Sequence, residues 1–261
     1  MKQGLVLLLV CTFFPVNAHG AVHTQKISYA QGQTPLEGYL AYDDAIKGKK
    51  PGVLIVHDWS GLGSHFKTIA EQLAGLGYAA LAVDMYGKDI KPGSHDFEMQ
   101  AELVKTDHGV ARARITVAFE TLNKQPQVDP SRIAAIGYCV GAVPVLELAR
   151  SGADVKGSVA FHGLVNTSPD EAKNIKGKFL ILHGDRDPYV PQRLVNAFDE
   201  ELTQAGVGHE VHWFKGAVHS FTIPGAGADN PHGGSVYNAD ADHQSWEDMK
   251  KFFDEIFKTH P

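Results

Sequence analysis

The sequence predicts an α/β fold: a doubly wound, mainly parallel sheet of about eight strands with helices on both faces. Apolar segments of strand length alternate with amphipathic helical segments, which is the order that gives right-handed crossovers between parallel strands. Residues 53–57 form a continuous apolar run that ends in a histidine, as expected of a strand covered on both faces. Residues 133–148 pass directly from a strand pattern into a helical pattern.

The composition is that of an ordinary globular protein. The chain has 261 residues, of which 43% are hydrophobic and 21% are charged, enough for one large domain. The formal net charge is −6 and no segment concentrates basic residues, so nucleic acid is not expected as a partner. We expect a monomer that acts on a small molecule.

The N-terminal residues predict a secretory signal peptide. Lys2 precedes an apolar run over residues 4–14, and small residues suited to cleavage occur within residues 18–21. The run is shorter than the roughly 20 apolar residues that a membrane-spanning helix needs; a buried N-terminal helix or strand is the alternative. We expect residues 1–20, approximately, to be removed from an exported protein, periplasmic or secreted, with a single domain over residues 21–261.

Removal of the leader changes the cysteine count. Cys11 leaves with it, and Cys139 is then the one cysteine of the mature sequence. An exported protein with a single thiol cannot form an internal disulfide. A free cysteine is usually a small buried hydrophobe, but the glycines around Cys139 favour a nucleophile.

The first half of the chain predicts an edge hairpin followed by alternating strands and helices. Partial polar–apolar alternation marks the two hairpin strands, and apolar residues at helical spacing mark the helices. The predicted strands cover residues 27–29, 36–42, 53–57 and 78–83, with a turn at 32–35. The predicted helices cover residues 65–76 and, as one long helix or as two divided near Asp107, the segment from about 95 to 123.

The second half continues the alternation. Its predicted strands cover residues 133–136, 158–162, 179–183 and 210–214, and its predicted helices cover 143–148, 191–204 and 244–257. Residues 222–243 form a Gly- and Asp-containing insertion, which we interpret as a loop placed to cover a pocket. Its Asp and His residues have no recognised metal-site spacing, so we expect no metal and no cofactor.

The segment Gly137-Tyr138-Cys139-Val140-Gly141 is the strongest local motif. A strand that becomes a helix within one residue holds that residue in a strained backbone conformation. The flanking glycines let the neighbouring strands and helix approach. This is the nucleophile elbow of the α/β-hydrolase fold, which normally carries serine; here Cys139 takes that place.

A thiol nucleophile needs a base, and the base needs an acid that orients it. In this fold they follow the nucleophile in the order acid, base. Asp187 follows the predicted strand at residues 179–183 and is preferred to Asp185, which we expect to shape the turn or cap the next helix. His219 follows the last predicted strand and is the expected base.

The tetrahedral intermediate needs hydrogen-bond donors for its oxyanion. One expected donor is the backbone N–H of Val140, where the start of a helix favours negative charge. The other is expected from the loop after residues 53–57, at the N–H of Trp59. The remaining histidines at strand ends are expected to pack or to bind loops, with His162 also placed to line the pocket: His57, His162 and His183.

Together these motifs resemble the dienelactone hydrolase family, the branch of the α/β-hydrolases with a cysteine at the elbow. The similar stretches are residues 137–141, 183–191 and 216–221, supported by 53–63 and 83–87. The resemblance covers nearly the whole mature chain. It implies a carboxylic-ester or lactone hydrolase of the carboxymethylenebutenolidase type, with Cys139, Asp187 and His219 as its triad.

The resemblance also implies residues around the triad. The family has a Glu that contacts the resting thiol, and Asp58 occupies the matching place with a shorter side chain, so it either activates the thiol or shapes the loop. Two arginines that bind a substrate carboxylate match positions near Lys88 and near Thr222 or Ile223. Lys88 keeps the charge without the bidentate fork, and the second position has no cation. The dienelactone substrate is therefore not expected.

A cysteine nucleophile restricts the leaving group. A thiolate attacks readily and also leaves readily, so it loses to an alkoxide but not to an enolate, phenolate or thiolate. We therefore expect activated esters, enol-lactones or thioesters as substrates, through an acyl-enzyme thioester. The alternatives are a binding or redox-sensing protein that uses Cys139 as a reactive thiol, and a phosphorus-ester hydrolase that uses the same triad.

Overall fold

The computed structural model describes residues 22–258; the predicted signal peptide lies outside them. The strands are β1 (Val22–Gln31), β2 (Thr34–Asp43), β3 (Lys50–Val56), β4 (Ala79–Val83), β5 (Val128–Tyr138), β6 (Gly157–Phe161), β7 (Lys178–Gly184) and β8 (His209–Phe214). The helices are α1 (Ser64–Gly75), α2 (His95–Thr106), α3 (His108–Asn123), α4 (Ala142–Arg150), α5 (Pro169–Ala172), α6 (Gln192–Ala205) and α7 (Ala239–Ile256).

The eight strands form one sheet in the order β1-β2-β4-β3-β5-β6-β7-β8. The β1–β2 and β2–β4 pairs are antiparallel and every other pair is parallel. The α/β-hydrolase-type architecture predicted from the alternation of strands and helices is therefore confirmed. The carboxyl ends of the parallel strands lie along one edge, where ligands of such sheets bind.

Helices cover both faces of the sheet. One core cluster joins side chains of α1 and α7 to one face, among them Phe66, Leu73 and Phe253. The other joins α3, α4 and α6 to the opposite face, among them Ile115 and Phe198. Strand β3 contributes Val53 and Ile55 to the first cluster and Leu54 and Val56 to the second, so the unbroken apolar run serves both faces.

Several local predictions differ from the observed elements. Strands β1 and β5 each begin five residues before their predicted starts at 27 and 133. The hairpin turn is shorter than predicted, because Thr34 already pairs with Gln31 and Gly32 takes a left-handed φ of 58°. Helix α7 begins at Ala239 rather than 244, because the Asn238 side chain accepts the N–H of Ala241 and acidic residues occupy the first turn. The short helix α5 was not predicted.

The segment before residue 123 consists of two helices. Asp107 ends α2 and caps α3, since its side chain accepts the N–H of Val110 at 3.0 Å. Within residues 22–258, none of the helices combines the length and the apolar character needed to cross a bilayer.

Candidate active site

The elbow presents Cys139 between β5 and a single turn of 3-10 helix, Cys139–Gly141. Cys139 has a φ of 53°, in the left-handed region that L-residues rarely adopt. A Cβ on Gly137 would lie 2.3 Å from the Gly141 carbonyl oxygen, and a Cβ on Gly141 would lie 2.4 Å from the His57 carbonyl oxygen. Both glycines are therefore required by close backbone contact at the elbow.

Pro144 is accommodated because it lies in the first turn of α4, where its missing N–H would have no intrahelical partner.

The structure brings Cys139, His219 and Asp187 into one line of contacts. His219 Nε2 lies 2.9 Å from Cys139 Sγ, and His219 Nδ1 lies 2.7 Å from Asp187 Oδ2. Because a carboxylate only accepts, Nδ1 carries a proton and Nε2 is left to exchange one with the thiol. All three side chains are buried, at the ends of β5, β7 and β8.

Asp187 is held by the turn that follows β7. Its Oδ1 accepts the N–H groups of Tyr189 and Val190 at 2.8 and 2.9 Å. Burial raises the pKa of Asp187, but its hydrogen bonds and the nearby imidazoles outweigh burial, and its pKa lies below the usual value. Asp185 points elsewhere: its carboxylate accepts the N–H of Gly216 at 2.6 Å.

Opposing effects also act on the pKa of His219. Burial lowers its pKa, whereas the hydrogen bonds and negative charge of Asp187 and Cys139 raise it, and the net result is a pKa of about 9. His219 therefore holds its proton at neutral pH when the thiolate and the carboxylate face it.

The residues that carry the predicted oxyanion donors line one cleft. Val140 follows Cys139 in the 3-10 turn, Trp59 lies in the loop after β3, and both line a cleft of about 310 Å³ with Phe97 and Ala101. Trp59 also lines a second cleft of about 380 Å³ under the insertion. Its side chain is 63% exposed, between the two clefts.

Asp58 does not contact the thiol in the described chain. Its Oδ1 accepts the N–H and the hydroxyl of Ser60 at 2.8 and 2.5 Å. Of the two roles left open for Asp58, the structure shows it shaping its own loop. The aspartate side chain is short enough to bind the backbone two residues on, as in an Asx turn.

Lys88 is held beside β2. Its ammonium group pairs with Glu37 on β2 at 3.3 Å, and its backbone N–H donates to Pro35. The same carboxylate also pairs with Lys26 at 2.7 Å, so one negative charge is shared by two ammonium groups. Binding of a substrate carboxylate by Lys88 stays a prediction.

His162 does not line the pocket, since it is fully buried. Its Nε2 is 2.8 Å from the Thr222 hydroxyl, and its ring lies edge-on to His219 with the centroids 5.1 Å apart. Burial, with the neighbouring imidazoles, holds its pKa well below the usual value. Thr222, one of the two positions near which the resemblance implies an arginine, is thus hydrogen-bonded to His162.

Two site features were missed from the sequence. The ring of Tyr189 lies edge-on to His219 with the centroids 5.3 Å apart, and this side chain is 60% exposed. The insertion is hydrogen-bonded to the backbone of His219. The N–H of His219 donates to the Gly234 carbonyl at 3.1 Å, and the carbonyl of His219 accepts the N–H of Val236 at 3.0 Å. The only sequence signal for the contact of Tyr189 with His219 was the place of Tyr189 directly after Asp187-Pro188.

Metal ligands are not clustered in the described part of the chain, where no group of three His, Cys, Asp or Glu side chains could hold an ion.

The sequence profile of the dienelactone hydrolase family matches residues 36–257. The chain belongs to the dienelactone hydrolase family. This membership supports the predicted lactone or ester hydrolase class, and the elbow cysteine agrees with the branch that the motifs resemble.

Two solved structures of dienelactone hydrolase-like proteins are similar over 92% of this chain and 100% of their own. One, m3DLH, is 38% identical with a TM-score of 0.85. The other, a dienelactone hydrolase-like promiscuous phosphotriesterase from metagenomic libraries, is 36% identical with a TM-score of 0.86. A Bradyrhizobium protein named "Probable 2-oxo-3-(5-oxofuran-2-ylidene)propanoate lactonase" is 26% identical over 214 residues, 77% of this chain and 86% of that protein.

Proposed function

We propose that this family member hydrolyses activated esters, enol-lactones or thioesters through an acyl-enzyme thioester on Cys139. The observation that carries the proposal is the line of contacts from Asp187 through His219 to the Cys139 sulfur, at 2.7 and 2.9 Å. Nucleophile, base and orienting acid in hydrogen-bond reach are the signature of covalent acyl transfer. A redox sensor needs neither an ordered base nor an oxyanion site.

In the proposed reaction, the Cys139 thiolate attacks the substrate carbonyl carbon. The oxyanion that forms is stabilised by the backbone N–H groups of Val140 and Trp59. Collapse breaks the bond to the leaving group, which takes the proton from His219 Nε2. His219 then removes a proton from water, the hydroxide attacks the thioester, and the thiolate is released with the carboxylic acid.

The thiolate sets the range of leaving groups. In the tetrahedral intermediate it competes for expulsion with the leaving group of the substrate. An aryloxide, enolate or thiolate departs in preference to it, whereas an alkoxide does not. Aryl and enol esters should therefore turn over much faster than simple alkyl esters.

The charges around the thiol favour uncharged substrates. Glu98 and Glu102 line the cleft beside Val140, and Lys105 on the same wall is 3.2 Å from Glu102. Two carboxylates thus face one ammonium group in this cleft, so we propose that a neutral aryl ester is preferred to the same ester bearing a carboxylate.

The test compares the purified wild type with Cys139→Ala, His219→Ala and Asp187→Asn on an aryl acetate, with matched ethyl and carboxylate-bearing esters. Melting temperatures verify that each variant is folded. We expect losses of at least about 10³-fold for the first two variants and about 10²-fold or more for the third. Equal turnover by all four proteins would refute the triad. No turnover by the wild type would favour a thiol-based binding or redox-sensing protein.

Hydrolysis of phosphorus esters is a second candidate, favoured by one specific observation: the similar protein that is named a promiscuous phosphotriesterase. On the same triad, the Cys139 thiolate would attack phosphorus and expel an aryloxide, and water activated by His219 would release the phosphoryl group. An aryl dialkyl phosphate in the same assay tests it. Phosphotriester turnover that survives in Cys139→Ala would contradict this route.

A further inference from the structure

We propose that His57, which stands outside the triad, positions the Trp59 N–H as an oxyanion donor by binding the other end of the same peptide group. The inference rests on the proposed function, because the donor matters only if an oxyanion forms. It makes His57 a positioning residue, since its side chain acts on the backbone of the oxyanion loop rather than on the substrate.

The contacts of the His57 ring determine which nitrogen carries the proton. The backbone N–H of Met85 donates to His57 Nε2 at 3.2 Å, so Nε2 is an acceptor. Nδ1 lies 2.7 Å from the carbonyl oxygen of Asp58, which can only accept, so Nδ1 carries the proton. An imidazolium would set a second N–H against the N–H of Met85. The geometry thus selects one neutral tautomer.

The carbonyl of Asp58 and the N–H of Trp59 belong to one peptide group. No peptide bond in the described chain is cis, and in a trans peptide the C=O and N–H point in opposite directions. A donor fixed on the Asp58 oxygen therefore turns the Trp59 N–H away from His57. Such a hydrogen bond also polarises the peptide group and strengthens its N–H as a donor.

Tyr86 assists from the same side. Its hydroxyl lies 3.4 Å from the Asp58 carbonyl and 3.2 Å from the Trp59 carbonyl. Burial raises the pKa of Tyr86 well above its usual value, so the hydroxyl keeps the proton that it donates. Its ring lies edge-on to the His57 ring, with the centroids 4.6 Å apart.

His57 also adjoins the elbow through its backbone. A Cβ on Gly141 would lie 2.4 Å from the His57 carbonyl oxygen, so the strand end that carries His57 packs directly on the turn that carries Val140. The side chain of His57 is buried, at 1% exposure, and burial keeps its pKa below the usual value. The support for one oxyanion donor is thereby tied to the position of the other.

The test uses His57→Leu, which removes the donor, and His57→Asn, whose amide nitrogen takes the place of Nδ1 and can still donate to Asp58. His209→Leu is the matched control: its Nδ1 also binds a backbone carbonyl, that of Val207 at 2.8 Å, but at the opposite end of the sheet, where β8 begins. For His57→Leu we expect kcat on the aryl ester to fall about 10- to 100-fold, a smaller loss than complete removal of an oxyanion donor would cause. KM should change little. The kcat of His57→Asn should lie between those of the wild type and His57→Leu.

Alkylation of Cys139 by iodoacetamide separates this role from a general loss of structure, because alkylation forms no oxyanion. We expect its rate in all three variants to match the wild type, and the nitrogen NMR shifts of His57 to report the Nδ1–H tautomer. Three results would each overturn the inference. Ester turnover and the alkylation rate could fall together, kcat could be unchanged in folded His57→Leu, or His57 could carry its proton on Nε2. A wild type without aryl-ester turnover would overturn the proposed function and this inference with it.

Discussion

The charge on His219 is set by a balance between burial and two anionic neighbours. Burial alone would lower its pKa, and the carboxylate of Asp187 with the sulfur of Cys139 instead raises it to about 9. The imidazolium is thereby the form expected at neutral pH, as the proposed protonation of the leaving group requires. Because sulfur and imidazole interact so closely, the pH dependence of the rate belongs to the pair rather than to either residue alone.

A pH profile of kcat/KM tests this balance. We expect activity on an aryl ester to fall as the pH rises through about 9, when His219 loses its proton. Asp187→Asn removes an interaction that raises the pKa of His219, so the alkaline fall should move to lower pH. An alkaline fall at the same pH in Asp187→Asn would contradict this account.

Not all of the site could be predicted residue by residue. The candidates Cys139, Asp187 and His219 follow from chain order and from their places after predicted strands. The hydrogen-bond and ion-pair partners of Asp58 and Lys88 could not be predicted in this way, because sequence spacing does not decide which nearby group each side chain binds. Asp58 binds Ser60 in its own loop, and Lys88 binds Glu37 on a strand distant in sequence.

At the scale of elements, the insertion after β8 is hydrogen-bonded to the backbone of His219. Its residues 234–236 form a bridge with His219, whose N–H and carbonyl are both hydrogen-bonded to it. It also meets the turn that carries the acid, since a Cβ on Gly234 would lie 2.5 Å from Pro188 Cγ and 3.1 Å from the Tyr189 ring. The segment predicted as a cover thus also supports His219 and Asp187 from outside.

Gly234→Ala tests this support. The added methyl group must displace the insertion from Pro188, and the bridge to His219 moves with it. We expect kcat to fall about tenfold, because small displacements of a catalytic group are costly, with a lower melting temperature. Gly75→Ala is the control, since a Cβ there has no neighbour within 4 Å. Wild-type kcat in Gly234→Ala would show that the bridge does not position His219.

The elements that sequence patterns predicted are those with a clear apolar period. Strands β3, β4, β6, β7 and β8 and helices α1, α4 and α6 were predicted to within three residues, whereas β5 begins five residues before its predicted start. The start of α7 was missed, because its first turn is polar and is marked by the Asn238 cap rather than by apolar spacing. Helix α5 has only four residues, too few to show a period.

At the scale of the whole molecule, a buried ion pair joins α4 and α6 on one face of the sheet. Arg150 on α4 has a fully buried side chain and lies 2.8 Å from Glu201 on α6. Removal of one partner from such a pair leaves an uncompensated charge in a low dielectric. The pair therefore affects the stability of the whole fold while lying outside the catalytic groups.

Arg150→Met should lower the free energy of unfolding by about 3–5 kcal/mol, and the double variant with Glu201→Gln should recover part of that loss. The exposed pair of Lys178 and Glu255 is the control, where Lys178→Met should cost less than about 1 kcal/mol. Urea unfolding followed by circular dichroism measures all of these variants. Equal losses for Arg150→Met and Lys178→Met would contradict the account.

Cleavage of the leader, export and a monomeric state stay predictions from the sequence. A cleavage site within residues 18–21 would precede β1, which begins at Val22. Mass spectrometry of exported protein and sedimentation of the purified protein would measure the mature terminus and the assembly.

The line of contacts at the elbow joins parts that are far apart along the chain: 80 residues separate Cys139 from His219, and 32 separate His219 from Asp187. Before folding, Cys139 is an ordinary thiol with no base beside it. The His219 imidazole comes within 2.9 Å of the sulfur only when β5, β7 and β8 share one sheet edge. Because folding both buries Cys139 and brings this imidazole to it, the rate at which a mild alkylating agent labels Cys139 reports completion of the carboxyl-terminal half of the sheet.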